Sequence, residues 1–208
     1  EDEIAAAAAS VGASFTGKLA VTGTSGPGLA LKSETISLAL SAELPLVIVN
    51  VQRGGPSTGL PTKPEQSDLM FALYGRHGES PLPVIAAKSP SHAFYAAYEA
   101  SRIALKYMTP VILLSDNYVA TGSEPWNLPK IEELNNLDTN IITKLNTEDG
   151  FLPFLRNVDT FARPWALPGT PGLEYRVGGL EKEEGTGNVS YDAANHQYMT
   201  DMRAWKVS

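Results

Sequence analysis

A parallel, doubly wound α/β sheet followed by an irregular C-terminal extension is the fold this sequence predicts. Three observations point there. Between Lys18 and Leu114 short, mostly apolar runs alternate with helical stretches, and the most continuous run reads as a strand covered on both faces. Two polar, glycine-rich segments follow apolar runs, where an open parallel sheet has its ligand crevice. After about Val119 the alternation stops.

Taken in order, Ile4, Ala8, Val11 and Phe15 recur at steps of four, three and four, the stripe of an amphipathic helix. Lys18 to Thr24 reads as a strand leading into Thr24-Ser25-Gly26-Pro27-Gly28. A second helix is expected from about Leu29 to Glu43, with Leu29, Ile36 and Leu40 inward. Leu44 to Val51 is the second strand, nearly all apolar. A polar loop, Gln52 to Thr62, precedes a short helix placed at about Glu65 to Tyr74. Pro83 to Ala87 is a third strand. Ser89-Pro90 then has the form of an N-cap followed by proline in the first turn. The helix behind it carries Ala93, Ala97, Ala100, Ala104 and Tyr107 on one face, and Thr109 to Leu114 is the fourth strand.

Residues 1–118 therefore read as one α/β domain and 119–208 as an extended segment packing on that domain or on a partner. Its anchors are Trp126, Phe151, Phe154, Trp165 and Leu167, with the Glu181 to Gly187 portion expected to be mobile. Acids outnumber bases 13 to 8 in this second part and 10 to 8 in the first.

Composition removes several functions. The 208 residues hold no cysteine, which excludes disulfides, thiolate zinc sites, cysteine nucleophiles and an iron–sulfur cluster held by this chain. A net charge of −7 argues against nucleic acid or an anionic membrane as partner. No apolar run is long enough to span a bilayer. Glu1 is not a start methionine, and an alanine run behind three acids lacks the form of a signal peptide, so the chain reads as an excised part of something longer.

Two loops face the expected crevice. Thr24 to Gly28 matches neither G-x-G-x-x-G nor a P-loop, and by itself is a tight strand-to-helix turn. In the second, Arg53 follows a buried strand with glycines beside it, where a guanidinium can hold a carboxylate by two hydrogen bonds; a salt bridge to a neighbouring acid is the competing account. Thr58 and Thr62 offer hydroxyls in the same loop. Glu3, in the first turn of its helix, either complements the helix dipole with Glu1 and Asp2 or turns inward to share a proton with a ligand nitrogen. His77, His92 and His196 show no metal-ligand spacing, though the loop carrying His77 can reach the crevice.

Four segments in fixed order carry a resemblance: Glu1-Asp2-Glu3-Ile4-Ala5-Ala6, Thr24-Ser25-Gly26-Pro27-Gly28-Leu29, Gln52 through Thr62, and Pro168-Gly169-Thr170-Pro171-Gly172-Leu173-Glu174. Together they resemble the alpha subunit of 2-oxoacid:ferredoxin oxidoreductases, most closely the 2-oxoglutarate type, over nearly the whole chain. The resemblance implies the pyrimidine-binding domain of a thiamine-diphosphate enzyme. Glu3 matches the glutamate that hydrogen-bonds the aminopyrimidine ring; Arg53 and Thr62 match substrate-binding positions; Thr24 and Gly26 lie in the turn beside the cofactor. It also implies a cytoplasmic enzyme that decarboxylates the oxoacid, hands electrons to ferredoxin and passes the acyl group to coenzyme A. A beta subunit would carry the diphosphate end of the cofactor, its Mg2+ and a [4Fe-4S] cluster. No metal site is expected on this chain. A segment reading Tyr-Pro-Ile-Thr-Pro, expected upstream of the glutamate helix in that family, does not occur in these residues.

Two other readings stay open at this level. One is the pyrimidine-binding part of a non-redox thiamine-diphosphate decarboxylase or synthase; the other is a non-catalytic α/β assembly module.

Overall fold

The computed structural model describes residues 2–208, so the part of the acidic trio that falls on Glu1 lies outside the described residues. Its centre is a four-stranded parallel sheet in the order β1-β2-β4-β3, with β1 at Val21–Thr24, β2 at Leu46–Gln52, β3 at Val84–Ala86 and β4 at Pro110–Asp116. Alternation along the strands sorts the core into two layers. Leu46, Ile48, Ile112 and Leu114 face α2 (Gly26–Ala42) and α3 (Leu69–Tyr74), joined by Val11 of α1 (Glu3–Phe15). Val47, Val111 and Leu113 face α4 (Pro90–Tyr107). The sheet is therefore covered on both sides, the doubly wound arrangement expected.

Several element boundaries move. Helix α2 starts at Gly26, with Ser25 as N-cap and proline in the first turn, three residues earlier than the apolar spacing suggested. Helix α3 starts at Leu69 rather than near Glu65, because the Asp68 backbone N–H is drawn to Gln52 Oε1 and its carboxylate to Asn50 instead of capping a longer helix. On α4 the buried row is Ala96, Ala100 and Ala104, so Ala93 and Ala97 sit beside the seam, not in it. Ser89 accepts from the His92 N–H, as a cap should.

The first helix is turned relative to its apolar stripe. Ala7 and Ser14 are buried and Glu3 is half-buried, whereas Ile4 is 54% exposed and Ala8 lies outside. Small residues let α1 approach α2 closely, and the Ser14 hydroxyl donates to the Pro45 carbonyl at 2.6 Å, which fixes this rotation.

Beyond α5 (Asn117–Thr121) the chain wraps the opposite end of the sheet with a 3-10 turn at Ile131–Glu133 and a two-residue parallel pair, β5 (Ile141–Ile142) and β6 (Trp165–Ala166). It is not irregular throughout. A 13-residue helix, α6 (Ala193–Trp205), is capped by Asp192 and buries Met199 and Met202. Its polar and charged positions gave it a weak apolar stripe, which hid it in the sequence. Nor is Glu181 to Gly187 loose: Lys182 is buried, Glu181 meets Arg203 and His196, and Phe154 bridges to Gly185. Glu181 and Glu184 are met by partners that lie 15 to 28 residues away, a pairing no local composition reveals.

What this wrap does physically is cap two helices. Helix α2 ends at Glu43 and α4 at Met108, both left-handed and both buried. Arg163 Nε donates to the Ala42 carbonyl, and the Asn140 amide donates to the Leu105 and Lys106 carbonyls. The buried Glu43 carboxylate accepts from Arg156 at 2.6 Å and from Lys206. Burial would raise this carboxyl, but the two cations outweigh it and hold it at about 2. Cations and donors thus gather where the negative ends of both helix dipoles lie. Trp165, packed on Leu105, Met108 and Ala162, supplies the apolar part.

Candidate functional site

At the other end of the sheet, the carboxyl ends of β1 and β2 lie side by side, with Thr24 and Asn50 in register. Connections from β1 and β2 lead to the α2 face, while β4 leads into α5 and β3 into α4 on the far face. That change of side places a crevice between β2 and β4.

Glu3 reaches this end because α1 lies on α2. Its side chain runs across Gly28: a Cβ at position 28 would lie 2.8 Å from Glu3 Cγ, 3.2 Å from Glu3 Oε1, and on top of the Thr24 hydroxyl. Glycine is needed there for the close approach, not for any unusual backbone angle. Glu3 is therefore directed along the mouth of the first glycine-rich loop and is half-buried. Below it, Lys32 donates to the Glu3 backbone carbonyl and to Thr22 Oγ1, each at 3.1 Å.

Arg53 lines a cavity of about 390 Å³ with Gly26, Pro27, Gly55, Ser57, Glu65 and Asp68. It makes no salt bridge among the described residues, and its buried Nε has no hydrogen-bond partner. The competing account of Arg53 as half of a structural ion pair is not what the fold contains. The nearby acids are otherwise engaged. Glu65 accepts the Gly55 N–H at 2.7 Å and pins the loop, and Asp68 accepts from Asn50 Nδ2 at 2.9 Å. Asp68 also stands against Gly26, so the first loop and the arginine loop share one wall.

The floor is polar. Gln52 donates to the Ser115 carbonyl while accepting from the Asp68 N–H. Gln66 donates to Asp116 at 2.6 Å, and Asp116 also accepts the Tyr118 and Val119 N–H groups. Burial would raise the Asp116 carboxyl, but these donors outweigh it and leave it lowered. Fully buried Asn50 has Oδ1 unpartnered.

Of the residues singled out in the sequence, Glu3 and Thr24 come together, and Gly26 and Arg53 share the neighbouring cavity. Thr62 does not join them. It is exposed, in a left-handed conformation (φ 59°) strained for a β-branched residue, and its carbonyl accepts from Asn117 Nδ2. Thr58 is likewise exposed. His77 lies on the flank of α2, in a separate cavity with Glu34, Ser41 and His196, and does not face the crevice. Sequence reasoning placed Gly28 in the loop without a role and missed Lys32, Asn50, Gln52 and Asp68. A signal existed for three: Asn50 and Gln52 interrupt the same face of an apolar strand, and Lys32 falls in the row Leu29, Ile36, Leu40. Among the described residues no cluster of three or more His, Cys, Asp or Glu side chains could hold a metal ion. Nor, among the described residues, is any helix long and apolar enough to cross a membrane.

Comparison with known proteins adds four findings. Residues 1–191 match the family model described as pyruvate flavodoxin/ferredoxin oxidoreductase, thiamine diphosphate-binding. The chain is 52% identical over 207 residues to the 2-oxoglutarate oxidoreductase subunit KorA of Mycobacterium tuberculosis, covering 100% of this chain and 31% of that protein. It is 37% identical over 211 residues to 2-oxoacid:ferredoxin oxidoreductase 1, subunit alpha, of Aeropyrum pernix, covering 99% and 31%. A structure of 2-oxoglutarate:ferredoxin oxidoreductase from Magnetococcus marinus, with 2-oxoglutarate, coenzyme A and succinyl-CoA bound, superposes with a TM-score of 0.89 at 40% identity, covering 99% of this chain and 35% of that one. The chain spans about a third of the length of these relatives.

Proposed function

The chain belongs to the pyruvate flavodoxin/ferredoxin oxidoreductase family, in its thiamine-diphosphate-binding part, and from that premise we propose that it forms the aminopyrimidine half-site of a CoA-acylating 2-oxoacid oxidoreductase acting on 2-oxoglutarate. The observation that carries the proposal is the half-buried Glu3 side chain lying across Gly28 beside Thr24. A carboxylate so placed, with no side chain at position 28 to push it aside, can meet one edge of a flat heterocycle.

Thiamine diphosphate, when bound, supplies the electron sink on which a 2-oxoacid loses carbon dioxide. The roles of this chain's residues follow from their chemistry. The Glu3 carboxylate holds and returns a proton at a nitrogen of the pyrimidine ring, which requires a group that both donates and accepts over a short, water-poor hydrogen bond. Arg53, its guanidinium not committed to any acid among the described residues, binds the carboxylate of the oxoacid. Glu65 fixes the loop backbone beside it, and Asn50 and Gln52 fix Asp68 as the wall. Thr24 and Gly26 contribute the turn along the cofactor, and Thr62 enters the site only with a movement of its loop.

The diphosphate, its Mg2+ and a [4Fe-4S] cluster are assigned to a beta subunit, with ferredoxin as electron acceptor and coenzyme A as acyl acceptor. Supporting this division, the chain has no cysteine, and Ile4, Val21 and Leu31, each more than half exposed, lie on the three elements that carry Glu3, Thr24 and Gly28. Exposed apolar side chains on these elements suit a subunit boundary. Residues 1–118 act as the pyrimidine-binding unit and 119–208 as its wrap.

The test is Glu3→Gln in the full-length subunit assembled with its partner. Dye reduction dependent on 2-oxoglutarate should be abolished while assembly is unchanged. Turnover at the unsubstituted rate would refute the proposal.

A further inference from the structure

Lys32 is the one charged side chain in the apolar row of α2, and it is 1% exposed. A buried ammonium is costly, and it is ordinarily offset by a carboxylate in direct contact. Lys32 has none within ion-pair distance among the described residues. Its two acceptors are neutral, the Glu3 backbone carbonyl and the Thr22 hydroxyl. Thr22 sits on β1, two residues before Thr24, and Gly28 lies one turn before Lys32 on α2. The ammonium is thus anchored directly under the turn of α1 that presents Glu3.

An isolated buried charge of this sort is poor for stability and is a signature of a functional site. We propose that Lys32 is a positioning residue for Glu3: it locks the first turn of α1 onto α2 and supplies the positive charge against which the Glu3 carboxylate works. This inference rests on the assignment of Glu3 to the cofactor. Burial pushes the Lys32 ammonium down from the usual lysine range, opposed by the pull of Glu3 and Asp2, the two acids that face it from α1. Glu3 and Asp2 thus act on the ammonium from a distance, without a direct ion pair.

Lys32→Met keeps the volume and removes the charge. In the full-length subunit with its partner it should weaken thiamine diphosphate binding, read by calorimetry, and lower kcat, each by about tenfold, the scale of one close charge in a partly dry site. KM for the oxoacid should stay within about twofold and Tm should hold or rise, because losing an uncompensated buried charge relieves the fold. A purely structural lysine gives the reverse, a lower Tm with unchanged kcat and cofactor affinity, and that result overturns the proposal. Should Lys32→Met not assemble, Lys32→Gln decides in its place: it retains a donor for the Glu3 carbonyl without the charge, so cofactor affinity and kcat equal to the unsubstituted complex overturn the proposal. In the Glu3→Gln background, Lys32→Met should cost no further cofactor affinity, since the lysine acts through that carboxylate; additive losses also refute it. Failure of the Glu3 assignment is separable, because it appears as full turnover in Glu3→Gln alone.

Discussion

Gly28→Ala tests the geometry of the site with a single methyl group. In the third residue of a helix, alanine is favoured over glycine by about 1 kcal/mol, so propensity alone predicts a more stable protein. The new Cβ would lie 2.8 Å from Glu3 Cγ and 3.2 Å from Glu3 Oε1, and would overlap the Thr24 hydroxyl. Forcing such an overlap costs about 1–3 kcal/mol. Both neighbours are side chains, so the cheapest relief is a rotation of Thr24 and displacement of Glu3 away from α2. The strain then leaves the fold and enters the site. Global stability should change by no more than about 2 kcal/mol, the difference of these terms, while cofactor affinity and turnover fall by about ten- to a hundredfold at roughly 1.4 kcal/mol per decade. Calorimetric titration with thiamine diphosphate and urea unfolding of the same assembled preparation measure the two quantities separately. Unaltered affinity and turnover in a folded Gly28→Ala protein would refute the reasoning, since Glu3 would then not need to lie against this helix turn.

Arg53→Ala should raise KM for the oxoacid about ten- to a hundredfold, the value of a hydrogen-bonded charge pair, with kcat less affected; steady-state kinetics with an unchanged KM removes its role. At the far end of the sheet, Glu43→Gln leaves Lys206 buried without its acid and Arg156 with Glu184 alone, and should cost about 3–5 kcal/mol, lowering Tm on the order of 10 °C in differential scanning calorimetry. The same carboxylate predicts acid lability. Its folded value of about 2 lies below the ordinary 4.5, so the native state binds fewer protons between them. About 3 kcal/mol of stability is therefore present above pH 5 and is lost as pH falls towards 2. Urea midpoints from pH 6 to pH 3 should decline more steeply in the parent protein than in Glu43→Gln; equal slopes would remove Glu43 as the cause.

The local pattern of this chain determined its layers. Apolar runs at Leu46–Val49 and Val111–Leu114, separated by helical periods and turn glycines, specify parallel strands covered on both faces, because each apolar run needs a cover and each connection is long enough to supply one. It determined as well which loops open at the carboxyl ends, and so where Thr24, Gly26 and Arg53 would be found. The direction in which α1 faces was not a local matter. The first half of its apolar stripe, Ile4 and Ala8, is left outside while Val11 still reaches the core, and Glu3, Ala7 and Ser14 turn in. A hydrogen bond to Pro45, 31 residues away, and another from Lys32, 29 residues away, decide that rotation. The wrap from 122 onward was legible in its aromatic anchors Phe154 and Trp165, both buried, but not in α6 or its ion pairs. Its stability comes from charges such as Glu43 and Lys206, 163 residues apart, whose attraction exists only once burial has brought them together and removed the water between them.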